Sequence, residues 1–220
     1  MVQEHPLYDL IFSRRDVRRF TNRPVPYQAL QKILKAAHHA PSVGFMQPWN
    51  FLVIRDLQVK QRVKELFTRE NARAAKVFRG KRKKLYSRLK LEGISEAPIN
   101  LCVTCDPSRF GPHVLGRHTI RRTDVYSTCC AIQNLWLAAR AEGLGVGWVS
   151  IFSNQRLKKI LGIPAGILPV AYLCIGYPVE FLKEPELQKV GWASRLPLEE
   201  LIFSDRWGRK EPKALAEVAP

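Results

Sequence analysis

The sequence predicts a layered α/β or α+β domain of helices and strands, and three patterns carry that prediction. Leu30, Ile33, Leu34 and Ala37 recur at helical spacing after Pro26. Four short apolar runs, 50–55, 99–105, 147–152 and 169–175, are β-rich and bounded by Gly, Pro, Asn or Asp. Between the second and third of these lies a long helical pattern, 126–142.

The spacing i, i+3, i+4 and i+7 from Leu30 puts an apolar stripe on one helix face, and Pro41 stops that helix. The four apolar runs have the length of buried strands. In 126–142, Ala131, Leu135, Ala138 and Ala139 keep helical spacing and Gly143 stands as a C-terminal stop. Most faces of this helix are apolar, which predicts a central, buried position. Helices alternating with strands give a layered architecture. After Tyr177 the chain becomes weakly periodic and is punctuated by Pro178, Pro185 and Pro197, as an arm crossing another surface would be. The predicted organisation is a domain over 1–176 and an extension over 177–220.

With 220 residues and 46% hydrophobic content the chain can bury a sizeable core. The first ten residues carry charges and a proline where a secretory apolar stretch would stand, and no run reaches membrane-spanning length. A cytoplasmic protein is expected. The five cysteines form no disulfide pattern. Cys102 and Cys105 make a CxxC, but on a strand residues three apart face opposite ways, and the second ligand pair of a zinc site is absent. No metal is expected. The formal charge of +17 raises attraction to phosphorylated ligands, anionic membranes or nucleic acid. Much of it is concentrated in 69–90, where ten cations face Glu70 alone. That segment is either a solvated face or an electropositive lid.

Two segments could carry chemistry. In Ser13-Arg14-Arg15-Asp16-Val17-Arg18-Arg19-Phe20, forked guanidinium donors suit a phosphate. If the segment is helical, Arg14 and Arg18 share a face. Asp16, among cations, is expected to stay ionised and to serve as an acceptor or general base. The second segment, 40–51 (Ala-Pro-Ser-Val-Gly-Phe-Met-Gln-Pro-Trp-Asn-Phe), is a rigid loop with amides and aromatic surface for a flat heteroaromatic ligand. By composition it could equally be an ordinary turn with Trp49 in the core.

An Arg-Arg-x-x-Arg start, a helix ending in Ala-Pro-Ser and a Gln-Pro-Trp-x-Phe strand opening resemble the nitroreductase family of FMN proteins. The Gly-Leu-Gly-Val-Gly-Trp strand after the central helix fits as well. Segments 40–51, 89–93, 102–106, 126–128, 133–143, 147–152 and 195–199 resemble one branch, the 5,6-dimethylbenzimidazole synthases, from about Ser13 to Trp207. Ordinary nitroreductases usually carry serine where this chain has Asp16 and asparagine where it has Phe45.

The resemblance implies the α+β class with a nitroreductase-like three-layer α-β-α sandwich, a homodimer whose C-terminal extension packs on the partner, and reduced FMN as substrate with O2 as oxidant. The implied products are 5,6-dimethylbenzimidazole, the lower ligand of vitamin B12, and erythrose 4-phosphate. Arg14, Arg15 and Arg18 would hold the phosphate and the polar edge of the flavin, with Arg195 adding a contact. Pro41, Ser42, Gly44 and Phe45, from the partner subunit, would pack on the ring, and Leu91 would meet it from the lid. Asp16 would abstract a proton, and the hydroxyl of Ser150 would lie at the reactive edge. An NAD(P)H flavin reductase is the implied supplier of FMNH2. The competing readings are an NAD(P)H-dependent nitro or quinone reductase that keeps its FMN and a basic nucleic-acid-binding module. The basic run lacks interleaved stacking aromatics apart from Tyr86, which weighs against the latter.

Overall fold

The computed structural model describes residues 5–210. The outer ends of the two predicted domains, 1–4 and 211–220, lie outside the described residues. The chain divides into two compact units, Met1–Glu184 and Pro185–Pro220. The first unit therefore runs past the boundary predicted at residue 176. Backbone pairing and one side-chain bond explain this: Phe20 bridges Pro178, the Val179 amide donates to the Arg19 carbonyl at 3.1 Å, and the Arg15 side chain donates through Nη2 to the Lys183 carbonyl at 2.5 Å.

The first unit is built on a four-stranded antiparallel sheet of β1 (Trp49–Ile54), β2 (Ile99–Cys105), β3 (Gly145–Val149) and β4 (Leu168–Gly176), in the order β1-β2-β4-β3. The pleat sends alternate side chains to opposite faces. Leu101 and Val103 of β2 and Ala171, Leu173 and Ile175 of β4 point into one core, against α2 (Tyr27–His38) and α5 (Thr123–Ala141). Cys102, Tyr172 and Cys174 point into a second core, against α3 (Leu57–Ala74) and α6 (Asn154–Leu161). Covering both faces makes the three-layer α-β-α sandwich and keeps every residue of β2 buried.

Local chemistry sets the helix ends. Asp56 caps α3 through Val59 N at 2.9 Å, and Ser153 caps α6. Beyond α5, Gly143 adopts φ 71° and the Leu144 amide reaches back to the Ala139 carbonyl at 2.7 Å. That closure satisfies the helix end and turns the chain directly into β3. As a result β3 starts two residues earlier than the predicted run 147–152, and Ser150 lies just past its end. Two smaller helices, α1 (Pro6–Ser13) and α4 (Gly80–Tyr86), lie respectively ahead of the arginine segment and within the basic run.

The helical alternative for the arginine segment is not what forms. Helix α1 ends at Ser13, Arg14 is extended at ψ 132°, and Asp16 pairs in parallel with Val146 on the open edge of β3. The Val17 amide donates to the Val146 carbonyl at 2.9 Å. This approach requires glycines on β3. A Cβ at Gly145 would meet the Val17 side chain at 2.7 Å, and one at Gly147 would run into the Val17 carbonyl oxygen. Gly147→Ala should therefore lower stability by roughly 1–3 kcal/mol, as overpacking does. Gly166→Ala, where the new methyl meets nothing within 4 Å, should stay within about 0.5 kcal/mol of the parent. Urea midpoints of the two variants compare them directly.

Candidate active site

The edge of β3 organises the charged residues. Asp16 Oδ1 accepts the Trp148 amide at 2.9 Å, and both carboxylate oxygens accept the Arg18 guanidinium, through Nη1 at 2.9 Å and through Nη2. Arg18 is nearly buried, its side chain 13% exposed, whereas that of Asp16 is 43% exposed. The pair thus presents a carboxylate to solvent on a fixed cationic support. Ser150, exposed, stands two positions beyond Trp148. Behind this edge Cys174 is fully buried, and burial pushes its thiol up to about 12, opposed by a hydrogen bond from the Gly93 amide and by the nearby Arg18. It is a packing group, not a nucleophile.

Arg14 and Arg15 are both anchored near the C-terminal half of α5 but have different partners. The Arg14 guanidinium lies over the Trp136 ring, 4.8 Å from its centroid, and its buried Nε donates to no acceptor among the described residues. An orphaned cationic donor of this kind fits an anionic ligand. Arg15 Nη1 instead donates to the carbonyls of Phe12 at 2.6 Å and Arg14 at 2.8 Å, while Nη2 holds Lys183. Those carbonyls occupy donors that the sequence reading gives to a phosphate. The Trp136 indole N–H, donating to the Arg15 carbonyl at 3.3 Å, and Arg140 Nε, donating to Ser13 Oγ at 3.2 Å, fix the segment to α5.

The loop 41–45 sits elsewhere. The Val43 amide donates to Ser127 Oγ at 3.0 Å near the start of α5, and Ser42 Oγ accepts the Gln47 amide at 3.0 Å. Gly44 adopts φ 51° in a tight fit, where a Cβ would lie 2.7 Å from the Leu115 carbonyl oxygen. Phe45 holds the left-handed region at φ 54° and is 78% exposed as a residue, an arrangement costly for a bulky side chain. At the helical rise, Ser127 and Trp136 are about 13 Å apart along α5. Within one chain, then, Asp16 and Arg18 pair on the β3 edge, Arg14 stands two residues before Asp16 over Trp136 and Ser150 follows the end of β3, whereas loop 41–45 is anchored near the other end of α5. Leu91 packs against the core cluster that includes Val17, Phe20 and Val149, beside the β3 edge. Arg195 is exposed in the second unit, ahead of a short 3-10 turn at Leu198–Glu200.

Several contributors escape the sequence reading. Trp148 acts through its amide, which no side-chain pattern reveals. Gly93 lets the Arg18 carbonyl and Phe20 approach, and Glu92 fixes this loop by accepting the Ile94 amide at 2.7 Å and pairing with Lys64. Lys60, buried and with its pKa lowered by that burial, holds the carbonyls of Ala97 and Pro98 at 2.7 and 2.9 Å. The alternating glycines of β3 were the one available signal of close backbone approach. No group of three or more His, Cys, Asp or Glu side chains that could hold a metal occurs among the described residues, and no described helix is long and apolar enough to cross a membrane.

This geometry coincides with a known lineage. The sequence matches the Nitroreductase family over residues 11–177. The 5,6-dimethylbenzimidazole synthase of Rhodospirillum rubrum is 46% identical over 190 residues, spanning 86% of this chain and 90% of that protein. The chain belongs to the nitroreductase family, on its 5,6-dimethylbenzimidazole synthase branch. A synthase of the same name from Rhodobacter capsulatus is 36% identical, across 88% of this chain and 93% of that protein. The nitroreductase-like fold is shared with an oxidized iodotyrosine deiodinase solved with FMN and 3-iodo-L-tyrosine, at a TM-score of 0.68 and 28% identity over 80% of this chain and 91% of that one.

The unsatisfied Arg14 donor makes a direct test possible. Arg14→Ala should weaken FMN binding by roughly 1.5–3 kcal/mol, the worth of a charge-assisted contact, and riboflavin binding by much less. Titration of both flavins by fluorescence quenching measures the difference, and equal losses would remove Arg14 from the phosphate site.

Proposed function

We propose that this chain fragments reduced FMN with O2, releasing 5,6-dimethylbenzimidazole and erythrose 4-phosphate. The observation that carries the reading is the accessible Asp16 carboxylate on the β3 edge, oriented by the Trp148 amide and by Arg18. Ordinary nitroreductases usually carry serine at that position. A serine hydroxyl is a poor base at neutral pH, whereas a carboxylate oriented by Arg18 and the Trp148 amide can take a proton from the ribityl chain. The flavin supplies the oxygen chemistry and is itself consumed. The protein's part is to bind and aim it: Arg14 offers its free donor to the phosphate, Ser150 can donate or accept one hydrogen bond at the reactive edge, and Asp16 moves the proton. Leu91 and the segment leading to it would close the pocket against water.

The same reading calls for a homodimer. Tyr126, Cys129, Cys130 and Gln133 leave one face of α5 open in the single chain, and Phe45 projects without cover. Two copies meeting along α5 would bring loop 41–45 of one to the Arg14–Asp16 region of the other, which a single chain keeps apart. The C-terminal extension, with Arg195, would complete the partner's pocket. Because FMNH2 is used up and reacts with air, an NAD(P)H flavin reductase would supply it, in the cytoplasm.

Anaerobic loading with FMNH2 followed by admission of air tests the chemistry. Asp16→Asn should still bind reduced flavin, yet yield about 10²- to 10⁴-fold less benzimidazole by mass spectrometry. Asp16→Ser should return oxidised FMN instead. Wild-type yields in both variants would refute the role of Asp16, and NAD(P)H oxidation by the purified protein alone would favour a reductase that keeps its flavin.

The dimer is checked separately by sedimentation. A flavin-competent species should sediment at twice the chain mass of 25.2 kDa, and a monomer that binds FMN fully would contradict the shared pocket.

A further inference from the structure

On the face of the sheet opposite α5, helices α3 and α6 enclose a groove of about 280 Å³ that the proposed flavin chemistry does not use. Its floor is apolar, formed by Leu66, which is 2% exposed, and by Ile160. Its walls are cationic. Arg62 and Arg69 stand at i and i+7 on α3, and Arg156 and Lys159 stand at i and i+3 on α6, so all four reach the same concavity against Glu65 alone. Like charges brought to close range repel one another, so a concavity lined this way favours an anion within it.

Neighbouring carboxylates do little to balance this set. Glu70 meets Arg156 at 3.8 Å but is held more closely by Arg73 at 3.0 Å, and Glu65 accepts a hydrogen bond from Gln61 at 3.1 Å. Arg62, Arg69 and Lys159 make no ion pair among the described residues. Arg156 also lies in the first turn of α6, where the helix dipole disfavours a cation and favours an anion.

We infer that the α3/α6 groove binds a phosphorylated small molecule, its phosphate between the guanidinium and ammonium groups and its less polar part on Leu66 and Ile160. The volume suits a sugar phosphate or a mononucleotide. Forked guanidinium donors on two helices can grip a phosphate dianion from both sides. The site stands apart from the reading of Asp16, and either could fail without the other.

Adenosine 5′-monophosphate is the probe, titrated calorimetrically at low ionic strength. One equivalent per chain should bind, and adenosine, lacking the phosphate, should bind at least about tenfold more weakly. Arg69→Gln/Lys159→Gln should weaken the nucleotide by about tenfold or more, and Arg62→Gln should act in the same direction. All three side chains are exposed, so the thermal midpoint should hold and report that the fold is intact. Arg14→Ala should leave the nucleotide affinity unchanged. The proposal is overturned by non-saturating uptake, by equal affinity for adenosine, by indifference to the double substitution, or by loss of binding with Arg14→Ala.

Discussion

The pairing of residues 16–17 with the open edge of β3 is the constraint on which the site depends. An edge strand has unsatisfied amides and carbonyls. Here the Val146 carbonyl takes the Val17 amide, and the Trp148 amide is taken by the Asp16 side chain. One residue's carboxylate therefore completes the sheet edge and also serves as the chemical centre of the proposed reaction. The pairing exists only because Gly145 and Gly147 leave room for the Val17 backbone and side chain. Arg18 then fixes the carboxylate from below. A carboxylate placed on sheet backbone is held more exactly than one on a free loop, as the proposed proton transfer over hydrogen-bond distance demands.

The arginines near this edge divide the work. Arg18 compensates Asp16, Arg15 ties the segment to three backbone carbonyls, and Arg14 keeps a donor in reserve over Trp136. Four cations in one short segment look interchangeable by composition. What separates them is which acceptor each can reach, and an internal acceptor removes a donor from ligand binding. Beneath them, polar residues hold the loop 92–98 from two sides: Lys60 of α3 binds the Ala97 and Pro98 carbonyls and Lys64 of α3 pairs with Glu92, while Asn100 of β2 binds the Ile94 carbonyl, so Gly93 is positioned against Phe20 and Arg18.

The wider charge of the molecule is distributed unevenly in a way that bears on ligands. The cations of α3 and α6 line a concavity with an apolar floor, while in the arginine segment Arg18 pairs with a carboxylate and Arg14 lies over Trp136. Both arrangements concentrate positive potential where a phosphate could dock, and under the proposed reaction, which uses up a phosphorylated substrate, such a field would raise the capture rate.

Periodicity and local chemistry made the elements legible in the sequence. The stripe from Leu30 to Ala37, the unbroken apolar run 99–105 and the stop at Gly143 all depend on neighbours along the chain, and the structure places α2, β2 and the end of α5 accordingly. The motifs at 13–20 and 40–51 were also visible, since they are short and contiguous. Tertiary structure alone decided that 14–18 extends along β3 and forms no helix, because the Val146 carbonyl and the Trp148 amide that capture it come from far along the chain. It alone set Arg14 apart from Arg15, and separated loop 41–45 from the arginines along the length of α5. Those distinctions rest on distances between residues remote in sequence, and residue types at local spacing carry no record of such distances.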